Sequence, residues 1–109
     1  MKMIFAIVRP DRVYEVNRAL ANAGFAGSTK WSVAGRGKQN GIQVGDLVYD
    51  EMTKEMLMVV CDDEDKNEII DIIMDYAQTG ESGNSGDGRI FVVPVEESYT
   101  ISTQSKEEE

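Results

Sequence analysis

Gly35-Arg36-Gly37-Lys38-Gln39-Asn40-Gly41 places three glycines, two cations and two amides within seven residues. Glycine has no Cβ, so at such spacing backbone N–H groups can turn towards an anion and approach it closely. Lysine and arginine add charge suited to phosphate or carboxylate. A second stretch, Gly86-Asp87-Gly88-Arg89, closes a Gly/Ser-rich segment that begins at Thr79. On its own a Gly-Asp-Gly segment reads as an ordinary turn. Paired with the first cluster, it predicts a cleft of phosphate size, with Lys38 and Arg89 as its cations.

Other residues with chemical potential read more simply. The acidic run Asp62 to Asp65 suits the positive end of a helix dipole and is read as a solvated helix start rather than a metal site. Cys61 ends an apolar strand and is read as core. Met52, Met56 and Met58 read as core or interface rather than as a copper site. Trp31 fits either a packed position or a subunit contact.

Composition removes several function classes. The chain has 109 residues, the size of one domain, with 20 acidic against 11 basic side chains and a net charge of −9. A nucleic-acid partner wants a basic face, so DNA and RNA are disfavoured. No apolar run approaches the roughly 20 residues of a membrane span. Residues 1–10 read as a strand ending at Arg9-Pro10, not as a signal peptide. One cysteine forms no internal disulfide, which fits a reducing cytoplasm. There is no histidine, which removes His-dependent triads, most zinc sites and the usual neutral-pH general base. The chain is therefore read as non-enzymatic.

The elements that must position the two glycine clusters follow from periodicity. Residues 2–8 form an apolar strand. Asp11 is the expected N-cap of a helix with Val13, Val16, Ala19, Leu20 and Ala23 on one face, stopped by Gly24. Residues 28–34 alternate like a half-buried strand, and residues 55–61 form another. A second helix follows the acidic run, with Ile69, Ile70, Ile73, Met74 and Ala77 as its buried stripe. Residues 89–95 form a fourth strand, and a polar tail, 104–109, is expected to be disordered. The order β-α-β-β-α-β predicts an α+β, ferredoxin-like fold: a four-stranded antiparallel sheet with two helices on one face. The other face is apolar too, which predicts self-association. Between the second and third strands lie about 20 residues, 35–54, where a hairpin needs only 2–5. Ile42, Val44, Leu47, Val48 and Met52 within it suit a hairpin that docks on a partner.

These motifs together resemble the nitrogen-regulatory PII signal-transduction family. Thr79-Gly80 followed by Gly86-Asp87-Gly88-Arg89-Ile90-Phe91-Val92 resembles its C-terminal signature. Residues 1–10 resemble its first strand, and Gly35-x-Gly37-Lys38-Gln39-x-Gly41 the start of its T-loop. The resemblance covers residues 1–103, with 35–54 as T-loop and 79–89 as phosphate loop. Gly35 to Asp46, Tyr49-Asp50-Glu51 and Tyr99 to Thr103 resemble the first of two paired PII-like regulators encoded with nitrogenase.

The resemblance implies a cytoplasmic trimer, homomeric or mixed with a paired homologue. It implies ATP or ADP bound at Thr29, Gly35, Gly37, Lys38, Gly86, Asp87, Gly88 and Arg89. It further implies 2-oxoglutarate at Gln39, Asn40, Gly41 and Lys54, with magnesium held through Gln39. Partner contact falls to Ile42, Val44, Leu47 and Tyr49, and the implied target is dinitrogenase. Three departures stand out: Thr100 and Ser102 occupy positions where the family carries arginines, the phosphate loop is about three residues longer, and the T-loop about four shorter. They keep two alternatives open: a regulator of an ammonium transporter or another nitrogen-metabolism target, and a divergent interaction subunit without nucleotide binding. Two other functions known on this chain order fit less well. An acylphosphatase-like enzyme needs its anion loop after strand 1, and an RNA-binding module needs stacking aromatics on strand 3 and a basic face.

Overall fold

The computed structural model describes residues 1–36, 42–44, 47–49 and 51–108, with backbone alone at 36, 42–44, 47–49 and 51. Four strands form the main sheet: β1 (Lys2–Val8), β2 (Thr29–Arg36), β5 (Glu51–Cys61) and β6 (Gly88–Pro94). Their order is β2-β5-β1-β6, and every neighbouring pair is antiparallel. Helices α1 (Val13–Asn22) and α2 (Lys66–Ala77) complete the β-α-β-β-α-β arrangement expected from the sequence.

The two apolar periods meet in one core. Ile4, Ala6 and Val8 of β1 alternate with Leu57, Val59 and Cys61 of β5, and Val13, Val16, Leu20, Ile69, Ile73 and Ala77 of the helices close over them. Along β1 and this part of β5 every second residue is buried because successive side chains leave a pleated strand on opposite sides. Two helix positions depart from expectation. Met74 is 55% exposed, and Ala23 caps α1 instead of packing beneath it. The N-cap of α1 is Arg12, with no side-chain cap, rather than Asp11. Its other end follows the sequence: Gly24, with φ +98°, stands one residue past the cap, its N–H bonded to Ala21 O and that of Phe25 to Leu20 O.

The opposite face stays open and is laid out in rows by the register. Val93, Met3 and Val60 form one row; Phe91, Phe5, Met58 and Thr29 the next; Arg89, Ile7, Met56 and Trp31 the third. Phe91, Val93, Val60 and Trp31 are each at least 39% exposed, an apolar surface of the kind the sequence predicts. β2 is an edge strand and mostly exposed, so its alternation marks a strand without half-burying it.

β2 and β5 run further into the span 35–54 than residue pattern suggests. Gly35 pairs with Met52 and Arg36 with Glu51, a two-stranded ribbon projecting beyond the end of β1. Backbone hydrogen bonds carry the pairing past the point where the apolar period ends. A short hairpin, β3 (Ile42–Val44) with β4 (Leu47–Tyr49), lies between them. The tail is also more ordered than its composition suggests: β7 (Tyr99–Thr100) pairs with β8 (Ser105–Lys106), and Glu107 N–H bonds Ser98 O at 2.8 Å.

Candidate functional site

Two residues past the third row, on the same side of the sheet, the open face changes from apolar to charged. Val33 of β2 faces Lys54 of β5, and the register carries this row on to Arg9, just after β1, and Asp87, just before β6. Three adjacent strands thus deliver Lys54, Arg9 and Asp87 side by side, with Arg89 in the row before. The loop 79–87 arrives at this end of the sheet from α2.

Asp87 organises that loop. Its Oδ1 accepts from Thr79 Oγ1 at 2.6 Å and Arg9 Nε at 2.9 Å, and its Oδ2 from Thr79 N–H at 3.0 Å and Asn84 N–H at 2.9 Å. Burial works against ionisation, but these bonds from Thr79, Asn84 and Arg9 hold the carboxyl well below the usual carboxylate range. Asn84 ties back to Thr79 through its side-chain amide, at 3.1 Å to the carbonyl and 2.9 Å to the hydroxyl. Gly80, Gly83, Gly86 and Gly88 all have positive φ, which lets the chain fold this tightly around one carboxylate.

Gly88 is the closest approach. A Cβ there would lie 1.7 Å from the carbonyl oxygen of Ile7 in β1, and φ is +120°. The loop therefore enters β6 directly against the central strand, as only glycine allows.

Two carbonyls of the loop turn towards cations. Arg9 Nη2 donates to Ser85 O at 2.9 Å, and Lys54 Nζ donates to Gly86 O. Peptide units are planar and trans, so a carbonyl directed at Arg9 turns the N–H of Gly86 the other way. The loop presents a backbone donor on its outer side, and Arg89 follows three residues later in β6. This is a geometry that holds anions.

Lys54 links Gly35 to the second glycine cluster. It is 9% exposed, and burial together with the neighbouring Arg9 charge lowers its pKa. Its Cγ lies 4.0 Å from where a Gly35 Cβ would stand, while its ammonium reaches Gly86. An ammonium has three donors, so two remain for a further acceptor. Within one chain Gly35 and the turn at Gly86 to Arg89 stand apart. β2 and β6 are opposite edges of the sheet, separated by β5 and β1, roughly 14 Å at the usual strand spacing. Lys54 stands on β5 within that interval, its stem beside Gly35 and its ammonium on Gly86 O.

The other expected site residues fall into three groups. Gly86, Asp87, Gly88, Arg89, Lys54 and Gly35 gather at this end of the sheet. Thr29 does not: it pairs with Met58 two rows away, on the outer edge. Gly37, Lys38, Gln39, Asn40 and Gly41, and the side chains of Ile42, Val44, Leu47 and Tyr49, lie outside the described residues. Arg9, which the sequence marks only as the end of a strand, is a site residue that pattern reading missed. The signal was its position before Pro10 in the first strand of a chain whose last strand starts at a Gly-Asp-Gly turn.

A cavity of about 520 Å³ opens beside Gly88 and Arg89, between β6 and the end of α2, lined by Ile7, Ile73, Met74 and Ile90. Lys54, Gly86 and Gly35 are not among its walls, so it adjoins the anion-facing surface without being part of it. Among the described residues, the carboxylates that cluster are Asp62, Glu64 and Asp65. They sit beyond Cys61, whose partner in β1 is Lys2, at the far end of the sheet from the loop 79–87. Asp63 there is occupied by the N-terminal ammonium at 2.8 Å and Lys2 at 3.6 Å. This is a helix entry, as the sequence suggests.

A family model described as "Nitrogen regulatory protein P-II" matches residues 1–105. The chain is 54% identical over 106 residues to "Nitrogen fixation nifHD region GlnB-like protein 1" of Methanobacterium ivanovii, covering 97% of this chain and 98% of that one. It is 50% identical over 106 residues to "Nitrogen fixation nifHD2 region GlnB-like protein 1" of Methanosarcina barkeri, with the same coverage. It is 40% identical over 107 residues to "Nitrogen regulatory protein P-II 2" of Methanothermobacter thermautotrophicus, covering 94% and 90%. Among the described residues no helix is long and apolar enough to cross a membrane.

Proposed function

Because this chain belongs to the nitrogen regulatory protein P-II family, we propose that it is a non-catalytic sensor of nitrogen status that binds ATP or ADP and 2-oxoglutarate and regulates nitrogenase through its long loop. The observation that carries this reading is Lys54. The stem of this nearly buried lysine lies beside Gly35, where the first glycine cluster begins, and its ammonium bonds the phosphate-type loop, so a ligand at either loop is felt at the other.

The residues present fit a phosphate. Gly88 is pressed against β1, the carbonyls of Ser85 and Gly86 are turned inward, and Arg89 follows in β6 as a nearby cation in sequence. Gly86, Gly88 and Arg89 hold the nucleotide phosphates, joined by Gly35, Gly37 and Lys38. A second subunit brings Thr29, since a single chain leaves it on the far edge. The two free donors of Lys54 suit a carboxylate of 2-oxoglutarate, with Gln39, Asn40 and Gly41 completing that site. Magnesium, where bound, supplies charge neutralisation between phosphate and carboxylate oxygens, and Gln39 is the residue to hold it.

The exposed apolar face suits a trimer, alone or with a paired homologue, and the β3–β4 hairpin suits a target. Curated relatives named for a nitrogen-fixation region support the dinitrogenase component over an ammonium transporter or another nitrogen-metabolism target. A second reading has its own observation. Thr100 Oγ1 donates to Glu107 Oε1 at 2.7 Å, placing a carboxylate where family members carry a cation for the neighbour's phosphates. On that reading this chain binds nucleotide weakly by itself, and a paired subunit supplies the charge.

Calorimetric titration with ATP–magnesium, with and without 2-oxoglutarate, tests both. Heat from ATP with this chain alone supports the first. Heat only after mixing with the paired homologue supports the second. No binding in either case rejects the sensor.

A further inference from the structure

We propose that Arg9 and Asp87 are positioning residues that brace the phosphate-type loop from the central strand, turning its carbonyls inward and leaving the Gly86 N–H outward for phosphate. The proposal rests on reading that loop as a nucleotide-phosphate site. It assigns a function to a residue, Arg9, that lies in no glycine cluster.

The brace has two points. The Arg9 guanidinium is planar and directs its donors at fixed angles. Nε meets Asp87 Oδ1 and Nη2 meets Ser85 O, both at 2.9 Å. From Asp87 the hold passes to both ends of the loop's tight part, through the Thr79 and Asn84 amides. The Asp87 N–H is itself used inside the loop, on Asn84 O at 3.1 Å. With both carboxylate oxygens doubly occupied and its amide engaged, Asp87 has little left to offer a ligand. It is a support for the ligand-facing Gly86 N–H beside it.

Bulk charge does not explain the pair. Arg9 and Asp87 form an ion pair with side chains 25% and 18% exposed, so their charges largely cancel at a distance. What the pair supplies is direction. Without it, the four positive-φ glycines at 80, 83, 86 and 88 leave the loop many conformations, and only a fraction would place the Gly86 N–H outward.

The test compares wild type with Arg9→Lys, Arg9→Met and Asp87→Asn. Lysine keeps the charge but does not satisfy Asp87 and Ser85 with two fixed donors. Calorimetry measures affinity for ATP–magnesium and for inorganic triphosphate, and hydrogen exchange measures the Thr79 and Asn84 amides. All three variants are expected to bind both phosphate ligands about tenfold more weakly and to exchange those two amides about tenfold faster. Arg9→Lys with wild-type affinity overturns the proposal, because charge alone then suffices. Weaker binding with unchanged exchange also overturns it, since contact and not positioning is then lost. Faster exchange with unchanged affinity overturns it as well. If Arg9→Lys fails to fold, Asp87→Asn, nearly isosteric, decides by the same criteria. Failure of wild type to bind any phosphate ligand, alone or with its homologue, rejects the underlying reading and the proposal with it, and so is distinct from the outcomes above.

Discussion

Gly88→Ala is the sharpest single perturbation of this site. Two costs can be separated. The first is backbone strain: φ is +120°, a region L side chains rarely adopt, which costs on the order of 1–3 kcal/mol. The second is overlap: the new Cβ would stand 1.7 Å from Ile7 O and 2.8 Å from Ile7 C, so β6 must shift against the central strand. Displacing packed backbone adds roughly 1–3 kcal/mol. Gly24→Ala is the control. Its φ is +98° but nothing lies within 4 Å of its Cβ, so it carries strain alone. The expected losses are about 2–6 kcal/mol for Gly88→Ala and about 1–3 for Gly24→Ala. Urea unfolding followed by Trp31 fluorescence, at matched chain concentration because association contributes to apparent stability, measures both. Equal losses in the two variants refute the overlap argument. Loss of stability at Gly88 without loss of ATP affinity refutes the claim that the loop's entry into β6 sets the phosphate site.

Three further outcomes follow from the same geometry. Lys54→Ala is expected to abolish the 2-oxoglutarate response and, by leaving the Gly86 carbonyl without its donor, to weaken ATP by up to about tenfold in titration; unchanged ATP affinity refutes the link between the loops. The Asp87 carboxyl is depressed in the folded protein, so its contribution to stability is complete above the ordinary carboxylate pKa near 4 and is lost as pH falls through the folded value; amide protection at Thr79 and Asn84 is expected to decline only in acid below about pH 4, and a decline centred near pH 7 contradicts this. Phe91→Asp places a charge on the open face beside Phe5 and is expected to lower the oligomeric state in sedimentation while leaving the monomer's fold intact; an unchanged oligomer shows that this face is not the interface.

Much of the scaffold was readable in the chain. The stripes Val13, Val16, Leu20 and Ile69, Ile73, Ala77 pack as their spacing requires, and Gly24 stops α1 as its position requires. These are local rules, in which a residue's neighbours in sequence are its neighbours in space. The misses were local too. Asp11 is not the cap because the chain turns at Arg9 to Arg12, with Arg12 N–H on Arg9 O at 3.0 Å. The ends of β2 and β5 were cut short because strand pairing continues through Gly35 and Met52, where no apolar period marks it.

The sequence by itself determined the element order, the two apolar faces of the sheet and the two glycine clusters as the places where chemistry gathers. Those follow from period, turn residues and composition, which act over a few positions. Only the tertiary structure decided how the clusters relate. The order β2-β5-β1-β6 puts Gly35 and the Gly86 to Arg89 turn on opposite edges, with Lys54 on a strand between them. The same order sets Arg9 beside Asp87, 78 positions away, and so turns a strand-ending arginine into part of the site. No local pattern encodes that distance, because it is set by which strands become neighbours when both faces of the sheet find their partners.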